Sequence, residues 1–322
     1  VSLPTRVSAS SSGILTFVTG KTMYARLPVS LASSGWTVAD SLGAVEKLCF
    51  DLTQLQDDSS LRLPHGPAAA AFHHLNAGGR RVRARLALDA ACRLGMAARD
   101  AVAIAAACEL LHNASLIHDD LQDRDPTRRG RDAVWKIFGD DVAICTGDLL
   151  LSAAYAAIAG FSQSALLPEM LRLVHLRTAA AVRGQCADIL PRSRYLDDVD
   201  TYERIVVGKS GALLSLPLEL AMIGSGHRHW AAVARESAEH FAVGYQIVDD
   251  LEDRIKDANA AGAPSINAFL VIAAANDGTD ATARGIALAR HHLSHAARCA
   301  QRLPLGSGAL LSELADALGS QL

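Results

Sequence analysis

The sequence has no basic excess. Its 31 lysines and arginines stand against 34 aspartates and glutamates, a formal charge of −3 at pH 7. That balance excludes nucleic acid as the main partner, because a duplex binder carries surplus cations to displace counterions. There is also no C-x-x-C pair. Cys49, Cys92, Cys108, Cys145, Cys186 and Cys299 are scattered, mostly in apolar segments. They read as buried free thiols in a reducing compartment, with neither a disulfide frame nor a zinc site expected. Runs of alternating β-branched residues are missing, which argues against a sheet. The longest uncharged stretch, Leu149 to Pro168, is diluted by Ser152, Gly160, Ser162, Gln163 and Ser164. It reads as a buried helix, and no transmembrane segment is expected. Acids are absent from residues 1–37, where Arg6, Lys21 and Arg26 are the only charges among several serines. This is either a transit-peptide-like targeting segment or a poorly packed N-terminal arm. The expected location is therefore cytoplasmic, or organellar if residues 1–37 are a transit peptide.

What the chain does contain is hydrophobic residues, 50% of the total, enough for one large core over residues 38–322. Organised pattern begins near Thr37, with Val38, Leu42, Val45 and Leu48 at helical spacing. Helical signals follow over Pro64 to Ala77, Arg83 to Gly95, Asp100 to Asp119, Asp132 to Phe138 and Asp148 to Ala159. They continue over Leu166 to Ile189, Val199 to Val206, Ala212 to Gly224, Trp230 to Lys256, Ile266 to Ala275, Asp280 to Leu303 and Leu310 to Leu318. The predicted architecture is all-α, with central helices apolar almost all round.

Two acidic motifs stand out, Asp119-Asp120-Leu121-Gln122-Asp123 and Asp249-Asp250-Leu251-Glu252-Asp253, about 130 residues apart with no Pro/Gly/Ser-rich linker between them. On a helix the first and last carboxylates of each point from one face and repel. A cation among them relieves the repulsion, and hard oxygen ligands suit magnesium, which completes its shell with water and phosphate oxygens. Basic clusters accompany the acids: Gly78-Gly79-Arg80-Arg81-Val82-Arg83, Arg128-Arg129, Lys209-Ser210, and Arg254 with Lys256. Guanidinium forks match phosphate oxygens. Other polar clusters have plainer readings. Asp197, Asp198 and Asp200 look like helix capping, and Asp140-Asp141 like a helix start. His118 stands beside Asp119, whereas His73-His74 and His291-His292-His295 lack carboxylates or cysteines at ligand spacing and read as surface or packing residues.

With these elements in order from about His73 to Asp257, the chain resembles the trans-isoprenyl diphosphate synthases, the polyprenyl synthetase family. Gly78 to Arg83 is similar to the family's GGKRxR element, His112 to its upstream histidine, and Asp119 to Asp123 to its first aspartate-rich motif. Arg128-Arg129-Gly130, Gly147-Asp148, Gly184-Gln185 with Asp188, Lys209-Ser210, Gln246 and Asp249 to Asp253 supply the rest. The resemblance implies a single-domain helical bundle around a central cavity, of the isoprenoid synthase type, acting as a homodimer. It implies three magnesium ions held by Asp119, Asp123, Asp249 and Asp253, and catalytic roles for Asp119, Asp120, Asp123, Arg128, Lys209, Gln246, Asp249 and Asp250. It also implies substrate contacts from Arg80, Arg81, Arg83, His112, Arg128, Arg129, Lys209, Ser210 and Gln246. The reaction so implied is ionisation of an allylic diphosphate, attack by isopentenyl diphosphate and proton loss. It needs no protein nucleophile, so the lack of a Ser/His/Asp arrangement is no objection.

Departures from the family pattern are Arg80 for lysine, Ala84 for proline, and the stretch from Ala258 to Leu270, which replaces a lysine-containing, glycine-rich segment. Ala114 and Ser115, the small residues before Asp119, leave room for a lengthening chain, with Leu111 the first side chain able to narrow the channel. The expected product is geranylgeranyl diphosphate or longer. Two alternatives are a terpene cyclase of the same fold and a non-catalytic subunit of a heteromeric synthase. The cyclase has no use for a second diphosphate site, and the subunit no need of intact motifs.

Overall fold

A computed structural model of the chain describes residues 35–54, 65–189, 198–258, 266–275 and 280–322, together with a two-residue strand pair at Leu15–Thr16 and Thr22–Met23. The helices are α1 (Val38–Thr53), α2 (Pro67–Leu75), α3 (Val82–Arg93), α4 (Ala98–Asp123), α5 (Val134–Phe138), α6 (Asp140–Ala159) and α7 (Leu167–Ile189). They continue as α8 (Val199–Val206), α9 (Ala212–Gly224), α10 (Ala231–Ala258), α11 (Ala268–Ala274), α12 (Ala281–Gln301) and α13 (Ala309–Gly319). A short hairpin, Thr127–Arg128 against Arg131–Asp132, follows α4. A π-turn, Val207–Gly211, joins α8 to α9. The fold is thus an all-α bundle of the isoprenoid synthase type.

Helix ends follow local chemistry. Thr37 caps α1 through its hydroxyl, Asp198 caps α8 by accepting from the Asp200 N–H, and Asn267 and Asp280 do the same for α11 and α12. Asp140 and Asp141 occupy the first turn of α6, where carboxylates suit the positive end of the helix dipole.

The core has two connected parts. One is built on α1 to α4, α6, α7 and α9, the other on α3 and α8 to α13. Every residue of α9 is buried, which is why its sequence is apolar all round and even a central proline, Pro217, is accommodated there. Among the described residues, three segments are long and apolar enough to cross a membrane by composition, namely α4, α6 and the run Val199–Gly224. In this fold the first and last of these lie mostly inside the bundle.

Two expectations are corrected. Leu149 to Pro168 is not one buried helix, because α6 ends at Ala159 and Gly160 and a 3-10 turn at Ser164–Leu166 separate it from α7. The cysteines are all free, but Cys145 on α6 and Cys186 on α7 are exposed, the latter because it faces the cleft described below. Helix α4 also runs to Asp123, one turn past the expected end, so the whole first acidic motif is helical.

Candidate active site

Helix α4 delivers Asp119, Asp120 and Asp123 to its C-terminal end, and the pairwise division expected of a helix is seen. Asp119 is part-buried and Asp123 exposed, while Asp120 turns inward, 1% accessible, and accepts from Arg128 Nε at 2.7 Å. Burial lifts the Asp119 carboxyl to about 6, with Asp123 and Asp120 adding to the shift and Lys209 and Arg128 opposing it. A carboxylate this reluctant to ionise, beside another four residues on, is a ready cation site.

Lys209 stands opposite on the π-turn. Its ammonium donates to Asp188 Oδ2 at 2.6 Å, and Asp188, Asp119 and Asp123 together outweigh burial, so its pKa is raised and it stays charged. Glycines explain how it gets there. A Cβ on Gly184 of α7 would lie 2.2 Å from the Lys209 backbone nitrogen, and one on Gly208 would lie 3.1 Å from the Gly184 Cα. Only without these side chains can the π-turn press against α7. On the other flank, a Cβ on Gly147 would lie 2.0 Å from His118 Nε2, so α6 and α4 close together over the His118 ring. Here is the physical reason for two of the glycines in the motif pattern.

Between these groups opens a cleft of about 210 Å³. Asp119, Gln122, Gln185 and Lys209 stand at its polar end, and Leu111, Ala114, Ser115, Leu151, Ala181 and Leu213 form apolar walls. Leu111 is 3% accessible, one turn beyond Ser115. The described neighbours Ala107 and Cys108 are packed in the core and do not line the cleft.

A second group of cations lies behind the first motif. Arg80 donates to the Tyr245 hydroxyl on α10 at 3.3 Å, and part-buried Arg83 has a buried Nε that lacks a hydrogen-bond partner. His112 is held well below its usual pKa by burial and by Arg83, Arg129, His74 and Arg128. It is therefore a neutral ring among guanidiniums. Arg129 adopts a left-handed backbone (φ 53°) that turns its side chain under the glycine loop, where it donates to the Gly78 carbonyl. A Cβ on Gly79 would lie 2.8 Å from the Arg129 guanidinium carbon. Glu109, which no sequence motif marks, anchors this group. It is 3% accessible, accepts from the Ala84 N–H at 3.0 Å, and lies close enough to Arg83 to moderate the cost of its burial. A lone glutamate within the apolar run Ala105 to Leu111 is the signal that could have found it.

The second motif is on α10, which packs on the π-turn that carries Lys209. Asp249 is part-buried and Asp253 exposed. Asp250 is 5% accessible and accepts from the Tyr202 hydroxyl (2.8 Å), Gln246 Nε2 (2.9 Å) and the Ala268 N–H (2.8 Å).

Three of the expected site residues already hold protein partners. Arg81, expected to bind substrate, donates to Glu46 Oε1 at 3.1 Å and to the Leu75 carbonyl at 2.9 Å, bracing α1 against the loop before α3. Arg128 bonds Asp120 through Oδ1 alone and leaves the buried Oδ2 without a hydrogen-bond partner, while Tyr202, Gln246 and the Ala268 N–H bond the Asp250 carboxylate. Ser210 lies part-buried on the π-turn beside Lys209. The side chains of Arg254 and Lys256, and the departure at 259–265, lie outside the described residues.

Buried His74, bonded through Nε2 to Asn113 Oδ1 at 3.1 Å, has its pKa pushed down from 6.5 to about 3, chiefly by burial and then by Arg129. The native ring stays neutral while the unfolded one takes up a proton. Its contribution to stability is therefore complete above pH 6.5 and is lost as the pH falls towards 3. Between about pH 7.5 and 5 the protein should lose about 2 kcal/mol through this group. Urea midpoints at the two pH values should fall less in His74→Gln than in the parent. Equal falls would show that His74 is not responsible.

A family model described as polyprenyl synthetase matches residues 67–279. Among curated proteins, the short chain isoprenyl diphosphate synthase of Methanothermobacter thermautotrophicus is 33% identical over 196 residues, 61% of this chain and 60% of that protein. The chloroplastic geranylgeranyl pyrophosphate synthase of Capsicum annuum is 38% identical over 207 residues, 62% of this chain and 56% of that one. The match thus spans less than two thirds of these relatives' length. Among solved structures, the geranylgeranyl pyrophosphate synthetase of Geoglobus acetivorans superposes with a TM-score of 0.76 at 24% identity, covering 88% of this chain and 99% of that one. At that identity the likeness speaks for the fold.

Proposed function

We propose that this chain, which belongs to the polyprenyl synthetase family, is a magnesium-dependent prenyltransferase that joins an allylic diphosphate to isopentenyl diphosphate. The observation that carries the reading is the cleft, which is lined both by the Asp119 carboxylate and Lys209 ammonium and by the apolar side chains that suit a prenyl tail. The metal fits the donors, because Asp119 and Asp123 on α4 and Asp249 and Asp253 on α10 offer only hard oxygen ligands. Three ions are proposed. Bound there, magnesium would neutralise the departing diphosphate.

The chain's own residues do the rest. Lys209 and Arg128 donate to the allylic diphosphate, and Gln246 stands one turn before Asp249 on the same helix. As the allylic C–O bond breaks, its electron pair leaves with the diphosphate. The apolar walls keep water from the resulting carbocation. Arg80, Arg83, Arg129 and neutral His112 hold the diphosphate of isopentenyl diphosphate, whose double bond attacks the cation before a proton is lost. A cyclase would have no use for this second group, and the buried, partnerless Nε of Arg83 favours an anion there.

Ala114 and Ser115 leave the cleft open down to Leu111, which supports geranylgeranyl diphosphate or a longer product. Exposed Ile144 on α6 and Leu176 on α7 support a homodimer in which a second copy covers them. Free thiols without disulfides fit a cytoplasmic setting.

The test is product analysis by mass spectrometry after incubation with magnesium, isopentenyl diphosphate and five- to twenty-carbon allylic diphosphates. The parent should elongate to twenty carbons or more. Ala114→Phe should fill the channel and shift the main product to fifteen or ten carbons. Cyclic hydrocarbon without elongation would overturn the transferase reading. An unchanged product length in an active Ala114→Phe would overturn the channel alone.

A further inference from the structure

The histidines that the sequence leaves as surface or packing residues acquire partners from other helices. Glu236 and His240 stand one turn apart on α10, and His295 and Cys299 one turn apart on α12, which packs alongside. His295 Nε2 and Glu236 Oε1 are 2.8 Å apart, and one ligand atom each from Glu236, His295 and Cys299 lie within 4.8 Å of one another. The His240 ring stacks on His295 with centroids 4.0 Å apart, and its Nδ1 meets His292 Nδ1 at 2.9 Å. His292 in turn reaches Glu203 Oε1 on α8 through Nε2 at 3.2 Å.

We propose that Glu236, His295 and Cys299, with His240 stacked beside them as a further donor, form a zinc-type divalent metal site on the face where α10 meets α12. The donor set is the argument for the metal. One carboxylate, one or two imidazoles and a thiolate suit zinc and cobalt(II), whereas the oxygen-only acidic motifs suit magnesium. So the two kinds of ion are sorted by ligand chemistry. The layout also gives the site an entry and a floor, since Glu236 is part-exposed and Cys299 buried at 4%. The contact through His292 to Glu203 orients His240, as outer hydrogen bonds do for metal-binding imidazoles.

Binding exchanges protons for the ion. The Cys299 thiol proton leaves to solvent, and the ion takes its place and replaces the contact between His295 Nε2 and Glu236 Oε1. The thiol is held protonated otherwise, because burial and Glu236 raise its pKa while Arg302 opposes them. Filled, the site would pin α12 to the helix that carries Asp249, using α12 from beyond the family-matched stretch that ends at residue 279.

The test is titration of the purified full chain with Co²⁺ alone as probe, in excess Mg²⁺ so that the acidic motifs are occupied. One Co²⁺ per chain should bind with thiolate-to-cobalt charge-transfer absorption in the near ultraviolet. Cys299→Ser should abolish that band, and His295→Ala and the part-exposed Glu236→Gln should weaken binding by about 10- to 100-fold. Zn²⁺ should displace the Co²⁺ and raise the melting temperature of the parent but not of the variants. Cobalt bound without the charge-transfer band, or binding unchanged in His295→Ala and Glu236→Gln, would overturn the site.

Discussion

Asp119→Ala should lower turnover with isopentenyl diphosphate and an allylic diphosphate by about a thousandfold while leaving the fold intact, because one preorganised group that acts on developing charge is worth about 10²–10³ in rate. The stability half of this expectation follows from the raised pKa. Asp119 is lifted to about 6 by burial and by repulsion from Asp123 and Asp120. Without magnesium, removing it relieves an unfavourable arrangement, so the melting temperature should hold or rise. Loss of rate with no loss of stability separates a residue kept for chemistry from one kept for folding. Steady-state kinetics at saturating substrate and limiting magnesium, beside a thermal melt, reads both. Near-parent turnover in the variant would falsify its place in the metal site.

Asp250→Ala should do the reverse first, destabilising the protein by about 3–5 kcal/mol, the range for breaking a buried charged hydrogen-bonded group. The Tyr202 hydroxyl, the Ala268 N–H and Gln246 Nε2 all donate to this one carboxylate, and Tyr202 is 1% accessible. Truncation leaves the first two buried donors with nothing to bond. Asp250→Asn should cost less, since the amide keeps an acceptor at nearly the same place. Urea unfolding of the two variants supplies the comparison. A midpoint for Asp250→Ala within about 0.5 kcal/mol of the parent, the range of ordinary surface substitutions, would show that α8, α10 and α11 do not depend on the carboxylate.

These two aspartates show where sequence and tertiary structure divide the determination of this protein. The helical period in the chain was enough to place the all-α class and most helices, because that information is local: apolar spacing, capping by Asp198, and the absence of alternating runs. The i, i+4 spacing likewise separated Asp119 and Asp123 from Asp120, and small Ala114 and Ser115 lie along the cleft because helical geometry alone puts them on the wall below Asp119. Partners across the bundle were not legible. Arg81 sits in the same basic run as Arg83, yet only packing against α1 brings Glu46 to it, and only α4 brings Glu109 beneath Arg83. Gly184 and Gly208 look like ordinary helix glycines until α7 and the π-turn meet without room for a Cβ. His295 has no carboxylate near it in the chain and Glu236 beside it in space, because two helices 59 residues apart in sequence pack face to face. Periodicity is a property of one segment, whereas burial, charge pairing and ligand sets belong to the contact between segments, which the tertiary structure alone decides.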